Sequence, residues 1–357
     1  MQETQFPGKM STHTYVIIMA GGAGTRFWPA STEEHPKQFL DILGLGKTLL
    51  QLTFERFLPL VPKEQIYIVT NRKYVDLVAG QLPDLPEDNI LGEPSRNNTA
   101  PCIAYATYKI LDVDQEANIV VAPSDHLILK SEVFLDKIRM ALAFTSSKDA
   151  ICTLGIQPSR PDTGYGYIHF GSEVTTGIHP VVAFKEKPDH QTASAYLEDG
   201  HYLWNAGLFV FAGQTMIRAL RAYTPLICDL LEVVPYNSSE EEEALMENYP
   251  LTPNISIDYA VMEQAENTFT LPADIGWSDL GTWGSLYAEL KREEEDNVVQ
   301  ADRSVLQDAQ GNLIRTTPGK TLVVKGLRNM IVVDEPDALL IWPRDEEQAI
   351  KGVVQGL

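Results

Sequence analysis

Tyr15-Val-Ile-Ile-Met-Ala20 is a continuous apolar run, rich in β-branched residues, that ends in glycines. Such a run reads as a strand buried on both faces and followed by a loop. Gln65–Thr70, Asn89–Leu91 and Ala117–Ala122 read the same way. Between these runs, Leu49–Leu60, Lys73–Gly80 and Ala100–Leu111 place apolar residues at helical spacing. Strands alternating with helices predict an α/β fold, a mostly parallel sheet with helices on both faces. The pattern changes after about Ala150. Ile151–Ile156, Tyr165–Phe170, Val181–Phe184 and Gly207–Phe211 are strand-like with fewer helices between them, which predicts a mixed extension of the first sheet. Glu240–Glu243 reads as a solvated helix face, Ile255–Gln264 as a helix start and Leu286–Glu295 as an acidic closing helix. From Asn297 onward, short apolar stretches alternate with Gly, Asn and Pro turns: Val298, Leu313, Leu322–Val324, Ile331–Val333 and Leu339–Trp342. That predicts a small C-terminal all-β domain. The expected division is a tail over 1–14, an α/β domain over 15–296 and the β-rich domain over 297–357.

Composition narrows the function. With 357 residues, 44 % hydrophobic and 22 % charged, the chain suits one large globular domain plus a small one. No stretch reaches the ~18 consecutive apolar residues of a membrane span. Met1–Thr14 is polar and lacks a signal-peptide core, so a cytoplasmic protein is expected, with Met10 an alternative start. The asparagine sequons at Asn97, Asn237 and Asn254 then carry no meaning. Cys102, Cys152 and Cys228 are too few and too widely spaced for a zinc site or a disulfide framework, and read as reduced buried thiols. A net charge of −21 disfavours nucleic acid as a partner. It also means that any anion site must be built from local cations, backbone N–H groups and metal ions.

Two glycine motifs fail as nucleotide fingerprints. Gly22-Ala-Gly24 lacks the third glycine of a dinucleotide-binding turn, because Phe27 stands there, which disfavours a nicotinamide-dependent oxidoreductase. Gly46-Lys47-Thr48 has Asp41 where a P-loop needs glycine.

The informative segment is Gly21-Gly-Ala-Gly-Thr-Arg26, directly after the first strand. Glycines let the backbone approach phosphates with N–H groups facing them; the alternative is a plain strand-to-helix turn. Arg26 adds a planar fork of donors suited to a triphosphate. Pro36-Lys-Gln-Phe39 places Lys37 in a loop downstream. Asp125 follows a buried strand in Val-Val-Ala-Pro-Ser124-Asp125-His126, the end of an open α/β sheet where ligands bind. A carboxylate there suits Mg²⁺, which takes one or two carboxylates plus phosphate oxygens. Asp279 in Trp-Ser-Asp-Leu-Gly-Thr-Trp is a second carboxylate; a helix N-cap is the structural alternative. His126 fits a phosphate contact or a cap equally, and Trp204, Trp277 and Trp283 read as packing residues.

GGAGTRFWPAS followed by PKQF resembles the signature of the nucleoside-diphosphate-sugar pyrophosphorylases, in particular the mannose-1-phosphate guanylyltransferase branch. EPSRNNTAP (93–101), APSDH (122–126), TGYGY (163–167), FKEKP (184–188), WNAG (204–207), SIDYAVME (256–263) and GWSDLGTW (276–283) resemble the same family in the same order. The resemblance implies a Rossmann-like sheet with mixed extension. It implies transfer of GMP from GTP to mannose 1-phosphate, with Mg²⁺ as cofactor. Arg26, Lys37, Asp125, Lys187 and Asp279 would be catalytic, with Asp125 and Asp279 on the metal. Ala20, Gly21, Gly22, Gly24, Thr25, Arg26, Glu93, Asn97, Asn98, Thr99, Ser124 and Asp125 would bind the nucleotide. Gly166, Glu186, Lys187, Asn205 and Asp258 would bind the sugar phosphate. Glu93 would accept from guanine's ring N–H and amino group; alternatively Glu93 and Asn97 only order their loop, with Thr99 capping the next helix. Lys187 has a surface turn as its alternative, and Lys185 competes for its role. The chemistry agrees with the residues, since an ionised phosphate monoester is already a nucleophile and no general base is required.

Three other readings stand beside this one. A different sugar 1-phosphate and nucleotide pair, such as glucose 1-phosphate with UTP or dTTP, would leave the motifs intact. A non-catalytic subunit of the same fold would have lost its phosphate and metal residues, which are all present. The C-terminal β domain resembles one through which relatives pair, implying a homodimer, whereas a tail that caps the catalytic domain is the alternative. A further cupin-type isomerase domain is not expected in so short a chain.

Overall fold

The computed structural model describes residues 12–22, 25–292 and 294–354. It divides into two compact units, one formed by 1–21, 54–123 and 128–277, the other by 22–53, 124–127 and 278–357.

The first unit is built on a nine-stranded sheet. Its strands are β1 (Thr14–Met19), β2 (Ile66–Asn71), β3 (Ile90–Glu93), β4 (Asn118–Pro123), β5 (Ile151–Ile156), β6 (Tyr167–Phe170), β7 (His179–Lys185), β8 (Tyr202–Ala212) and β9 (Thr268–Pro272). Their order is β3-β2-β1-β4-β8-β5-β9-β7-β6. β1 to β4 pair in parallel, as their continuous apolar runs predict. β8 then lies antiparallel between β4 and β5, and β6 and β7 close the edge as an antiparallel pair. The mixed extension is therefore present. The chain runs outward through β2 and β3 and then returns to β4 on the other flank of β1. This makes β1/β4 the switch point, where an open sheet leaves a crevice beyond its strand ends.

The helix Thr99–Val113 packs its Ala100, Ile103, Ala106 and Ile110 into the same core as Ile17, Val121, Phe209 and Phe211. All three cysteines are free and buried. A further helix spans Ser131–Thr145, and those at His190–Asp199, Gly213–Tyr223 and Pro225–Leu231 make the part after Ala150 more helical than its sequence pattern suggested. Ile255–Gln264 does not start a regular helix but forms a π-helical turn at Asp258–Met262. Such turns are short and often mark functional sites. The acidic run is only partly solvated, because Glu241 is buried in an ion pair with Lys109 at 2.6 Å.

In the second unit, the helix expected over Leu286–Glu295 is Trp283–Glu289. Its N-cap is Thr282, which forms a reciprocal capping box with Ser285. The C-terminal strands are β10 (Val298–Gln300), β11 (Arg303–Gln307), β12 (Leu313–Arg315), β13 (Thr321–Lys325), β14 (Met330–Asp334) and β15 (Leu339–Pro343). β10, β12 and β14 stack in parallel with Val298 beside Leu313 and Leu313 beside Ile331, while β11 pairs in parallel with β13. Parallel neighbours joined without a helix are successive turns of a coil. Buried Asn297 and Asn312 hold two turns together, the Asn312 amide donating to Asn297 Oδ1 at 2.9 Å. Among the described residues, no helix is long and apolar enough to cross a membrane.

Candidate active site

In the second unit, Lys37 joins two other residues expected at the phosphates, Asp125 and Asp279. The sequence places this lysine in an exposed-looking loop, but it is 5 % exposed, on a short helical turn, Lys37–Phe39. Its ammonium lies 2.9 Å from Asp125 Oδ2 and donates to the carbonyls of Asp279 at 2.8 Å and Leu280 at 2.9 Å. Its three protons are thereby matched by three acceptors. Burial pushes the Asp125 carboxyl upward, but the Lys37 charge and then His126 outweigh it and hold the group below the usual carboxylate range. His126 Nε2 is 3.9 Å from Asp125 Oδ1.

The Asp279 turn is shaped to present those carbonyls. Leu280 is fully buried with a left-handed backbone, φ 45°. Gly281 donates its N–H to Asp279 Oδ1 at 3.2 Å, and a Cβ on Gly281 would stand 2.8 Å from Asp279 Oδ2. Asp279 is thus not the cap of the following helix, a role that Thr282 fills. Arg26 is exposed on the turn Thr25–Phe27 and lines a cavity of about 140 Å³ with Thr282, Trp283 and Glu347. The Gln38 amide donates to the Gly22 carbonyl at 2.9 Å, fixing the start of the glycine loop. Ser124 is buried, and its carbonyl accepts from Thr53. Gly24 and the Thr25 side chain lie outside the described residues.

In the first unit, Ala20 is tied at both ends, its N–H to Val69 and its carbonyl to the Thr70 hydroxyl. Glu93, the last residue of β3, is 5 % exposed and takes a hydrogen bond from the Tyr249 hydroxyl. Burial pushes its carboxyl up to about 7, against the pull of the Tyr249 and Cys102 hydrogen bonds. Asn97 spends its amide on the Tyr249 carbonyl and on the carbonyl and hydroxyl of Thr252, so its side chain orders the loop. Asn98, φ 70°, is the cap of the helix Thr99–Val113 and accepts from the Thr99 N–H. Thr99 is inside that helix, and its hydroxyl accepts from the Ile257 N–H at 2.8 Å.

The five residues expected at the sugar phosphate, Gly166, Glu186, Lys187, Asn205 and Asp258, lie together, also within the first unit. Asn205, on β8, donates its N–H to the Gly166 carbonyl at 2.8 Å and its side-chain amide to Asp258 Oδ1 at 3.0 Å. Thr153 holds the Asn205 side-chain oxygen. A Cβ on Gly166 would overlap Glu186 Oε2, the end of a side chain that would have to turn aside. Glu186 is nearly buried and pairs with the exposed Lys187 ammonium at 2.7 Å. Lys187 has a left-handed backbone, φ 45°, which breaks the alternation that would otherwise equate it with Lys185. Burial first and the Glu186 charge second push Asp258 up to about 6. Tyr165 packs edge-on against Trp204 and Trp277 beside this set, which supports the packing role read for those tryptophans.

Lys37 joins the Asp125 carboxylate to the main-chain carbonyl of Asp279, and hard carboxylate oxygens of the kind these two residues carry suit a divalent cation. Among the described residues, no group of three or more His, Cys, Asp or Glu forms a metal cage, so phosphate oxygens would have to complete the coordination.

The nucleotidyl transferase family model matches residues 15–296, and a mannose-phosphate-isomerase/GMP-like β-helix model matches 302–357. The chain belongs to the nucleotidyl transferase family. It is therefore a nucleotidyltransferase, and its C-terminal coil is the β-helix element. A putative mannose-1-phosphate guanylyltransferase of Vibrio cholerae is 34 % identical over 346 residues, covering 96 % of this chain and 74 % of that protein. The mannose-1-phosphate guanylyltransferase of Salmonella muenchen is 36 % identical over 348 residues, covering 96 % and 72 %. A crystal structure from Thermus thermophilus, described as a mannose-1-phosphate geranyltransferase, superposes with a TM-score of 0.87 at 33 % identity, covering 96 % of this chain and 99 % of that one. Enzymes of this family act with a divalent metal ion.

Tyr249, Thr153 and Tyr165 are site neighbours that the sequence did not single out. Tyr249 follows an acidic helix with no motif around it, so only its long-range contact with Glu93 reveals it.

Proposed function

We propose that this nucleotidyltransferase transfers GMP from GTP to mannose 1-phosphate, giving GDP-mannose and pyrophosphate. The reaction class rests chiefly on the Lys37 ammonium, which joins the Asp125 carboxylate to the main chain of Asp279. The substrate pair rests on relatives that bear the guanylyltransferase name over 96 % of the chain.

The sugar phosphate is largely a dianion at neutral pH, since a monoester's second pKa is ~6. One of its oxygens attacks the α-phosphorus of GTP in line. The new P–O bond forms as the bond to the bridging β-phosphate oxygen breaks, and pyrophosphate leaves with the electron pair. The protein has no proton to remove; it positions the reactants and neutralises charge. Arg26 and the backbone N–H groups of the glycine loop hold the triphosphate. Lys187 holds the sugar phosphate, and Gly166, Glu186, Asn205 and Asp258 form the sugar pocket. Glu93 reads the guanine edge. Asn97 and Asn98 act indirectly, by shaping the loop that carries it. Lys37 keeps Asp125 ionised and the Asp279 turn in place. Mg²⁺ would be held by Asp125 and Asp279 and would supply neutralisation of charge on the phosphates.

The enzyme works in the cytoplasm as a homodimer paired through 297–357. Exposed Val305 and Val323, adjacent in register on β11 and β13, support that surface. Light scattering should give twice the chain mass, and a monomer at working concentration refutes the pairing. For the reaction, GTP, mannose 1-phosphate and Mg²⁺ should yield pyrophosphate and GDP-mannose in equal amounts. Pyrophosphate without nucleotide-sugar, or neither product, overturns the proposal.

A further inference from the structure

The loop that carries Glu93 is braced by the segment 249–257. Asn97 bonds to Tyr249 and Thr252, the Arg96 carbonyl accepts from Asn254, and Ala100 N–H donates to the Ile255 carbonyl. Most of these bonds order backbone. Tyr249 differs, because its hydroxyl reaches the chemically significant atom. It is fully buried, its ring lies edge-on to Tyr105 with centroids 6.0 Å apart, and its hydroxyl donates to Glu93 Oε1. The other carboxyl oxygen, Oε2, turns toward Gly21 after β1, where a Cβ would stand 3.3 Å away. One oxygen is thus engaged in the interior, and the other is directed at the loop assigned to the nucleotide.

We propose that Tyr249 is a positioning residue for base selection, its hydroxyl holding Glu93 as a hydrogen-bond acceptor for guanine. The inference rests on the reading above that Glu93 faces the base. An ionised carboxylate only accepts, and guanine's N1–H and 2-amino group only donate. Adenine presents an acceptor at N1, which the ionised group repels and a protonated Glu93 would satisfy. Loss of one proton equilibrium therefore changes the preferred base. Burial brings Glu93 up to about 7, and the Tyr249 and Cys102 bonds pull it back down. Tyr249, with Cys102 and Tyr105 from the helix Thr99–Val113, are the titratable groups that face Glu93; the paired strand brings Asn71 and the β1 loop Gly21, neither ionisable. Burial raises Cys102, Tyr105 and Tyr249 alike, so all three stay protonated where Glu93 titrates. Removing the Tyr249 hydroxyl removes a donor to the charged form and moves the Glu93 titration upward.

The test compares kcat/KM for GTP and for ATP, with mannose 1-phosphate saturating, from pH 6 to pH 9. Wild type, Tyr249→Phe, Glu93→Gln and Thr252→Val are measured side by side. Substrate phosphates titrate alike in all four, so differences between variants report the protein. Tyr249→Phe should move the acid limb for GTP up by about one pH unit and lower the GTP-over-ATP preference about tenfold near pH 7, recovering at pH 9. Its kcat at saturating GTP should stay within a few-fold, since the loss is in KM. Thr252→Val loosens the same segment without touching the hydroxyl and should leave the limb in place. Cys102→Ala removes the other donor to Glu93 and should shift the limb the same way, which keeps the test open should Tyr249→Phe fail to fold. A Tyr249→Phe limb and base preference equal to wild type overturn the inference, as does an equal shift in Thr252→Val. Glu93→Gln without effect on the base preference instead overturns the reading of Glu93 on which the inference rests.

Discussion

Replacing Lys37 with methionine keeps an unbranched apolar stem one atom shorter and removes the charge and donors. The structure places that loss on three acceptors together: Asp125 Oδ2 at 2.9 Å and the carbonyls of Asp279 and Leu280 at 2.8 Å and 2.9 Å. Breaking a buried ion pair on one side typically costs about 3–5 kcal/mol. Each stranded carbonyl adds roughly 1–3 kcal/mol if it stays dry. Those values do not add in full, because the Asp125 side chain is 31 % exposed and can rehydrate. A net destabilisation of about 3 kcal/mol is therefore expected. Catalysis should suffer more than stability, because Asp125 and the Asp279 turn both lose their common anchor. Turnover should fall roughly 10²–10³-fold, the scale for loss of one preorganised electrostatic group. The Mg²⁺ concentration for half-maximal rate should rise with it. Lys37→Arg should not rescue the enzyme, since a planar fork does not fit a nearly closed site shaped for a compact ammonium. The assay is steady-state pyrophosphate release against Mg²⁺, paired with urea unfolding of the same variants. A Lys37→Met enzyme with unchanged Mg²⁺ dependence but a raised KM for GTP would refute the anchoring role and return Lys37 to direct phosphate contact.

Gly166→Ala places a Cβ against Glu186 Oε2, so the Glu186 carboxylate must turn aside; if Glu186 holds the sugar, KM for mannose 1-phosphate should rise about tenfold while GTP binding by calorimetry is retained. Arg26→Ala should lower turnover by roughly 10²–10³-fold with an unchanged melting temperature, and near-normal turnover would remove Arg26 from the phosphate site. Asp258 is held at about 6, above its unfolded value, so the folded state binds the extra proton. Stability should fall as pH rises through that window, and Asp258→Asn should be more stable than wild type at pH 8, by up to about 3 kcal/mol, while losing sugar-phosphate affinity. Urea midpoints at pH 5 and pH 8 check this; equal midpoints for the two proteins at pH 8 would contradict it.

The parallel core was legible because each of β1 to β4 is a continuous apolar run bounded by turn residues, a local signal. β9, Thr268–Pro272, was not. Its Thr-Phe-Thr-Leu-Pro is short, and burial comes from β5 and β7, which lie far away in sequence. The C-terminal strands were legible as strands but not as a coil, since parallel stacking depends on Val298, Leu313 and Ile331 falling in register. At the site, Gly166, Glu186, Lys187, Asn205 and Asp258 lie together although they come from three separate motifs and a π-helical turn. The burial of Lys37 was hidden because its partners lie 88 positions away at Asp125 and 242 away at Asp279, and a lysine in a Pro-bounded loop looks solvated. Asn98 rather than Thr99, and Thr282 rather than Asp279, carry the helix caps. Each pair, adjacent in the first case and three residues apart in the second, offers two competent oxygen acceptors, and the backbone angles decide between them.

The substrate pair decides the proposed function. It is tested most directly by a pyrophosphate-release assay that crosses GTP, ATP, UTP and dTTP with mannose, glucose and fucose 1-phosphates in the presence of Mg²⁺. GTP with mannose 1-phosphate should give the highest kcat/KM, with no release when the sugar phosphate is omitted. The highest value for UTP or dTTP with glucose 1-phosphate would contradict it.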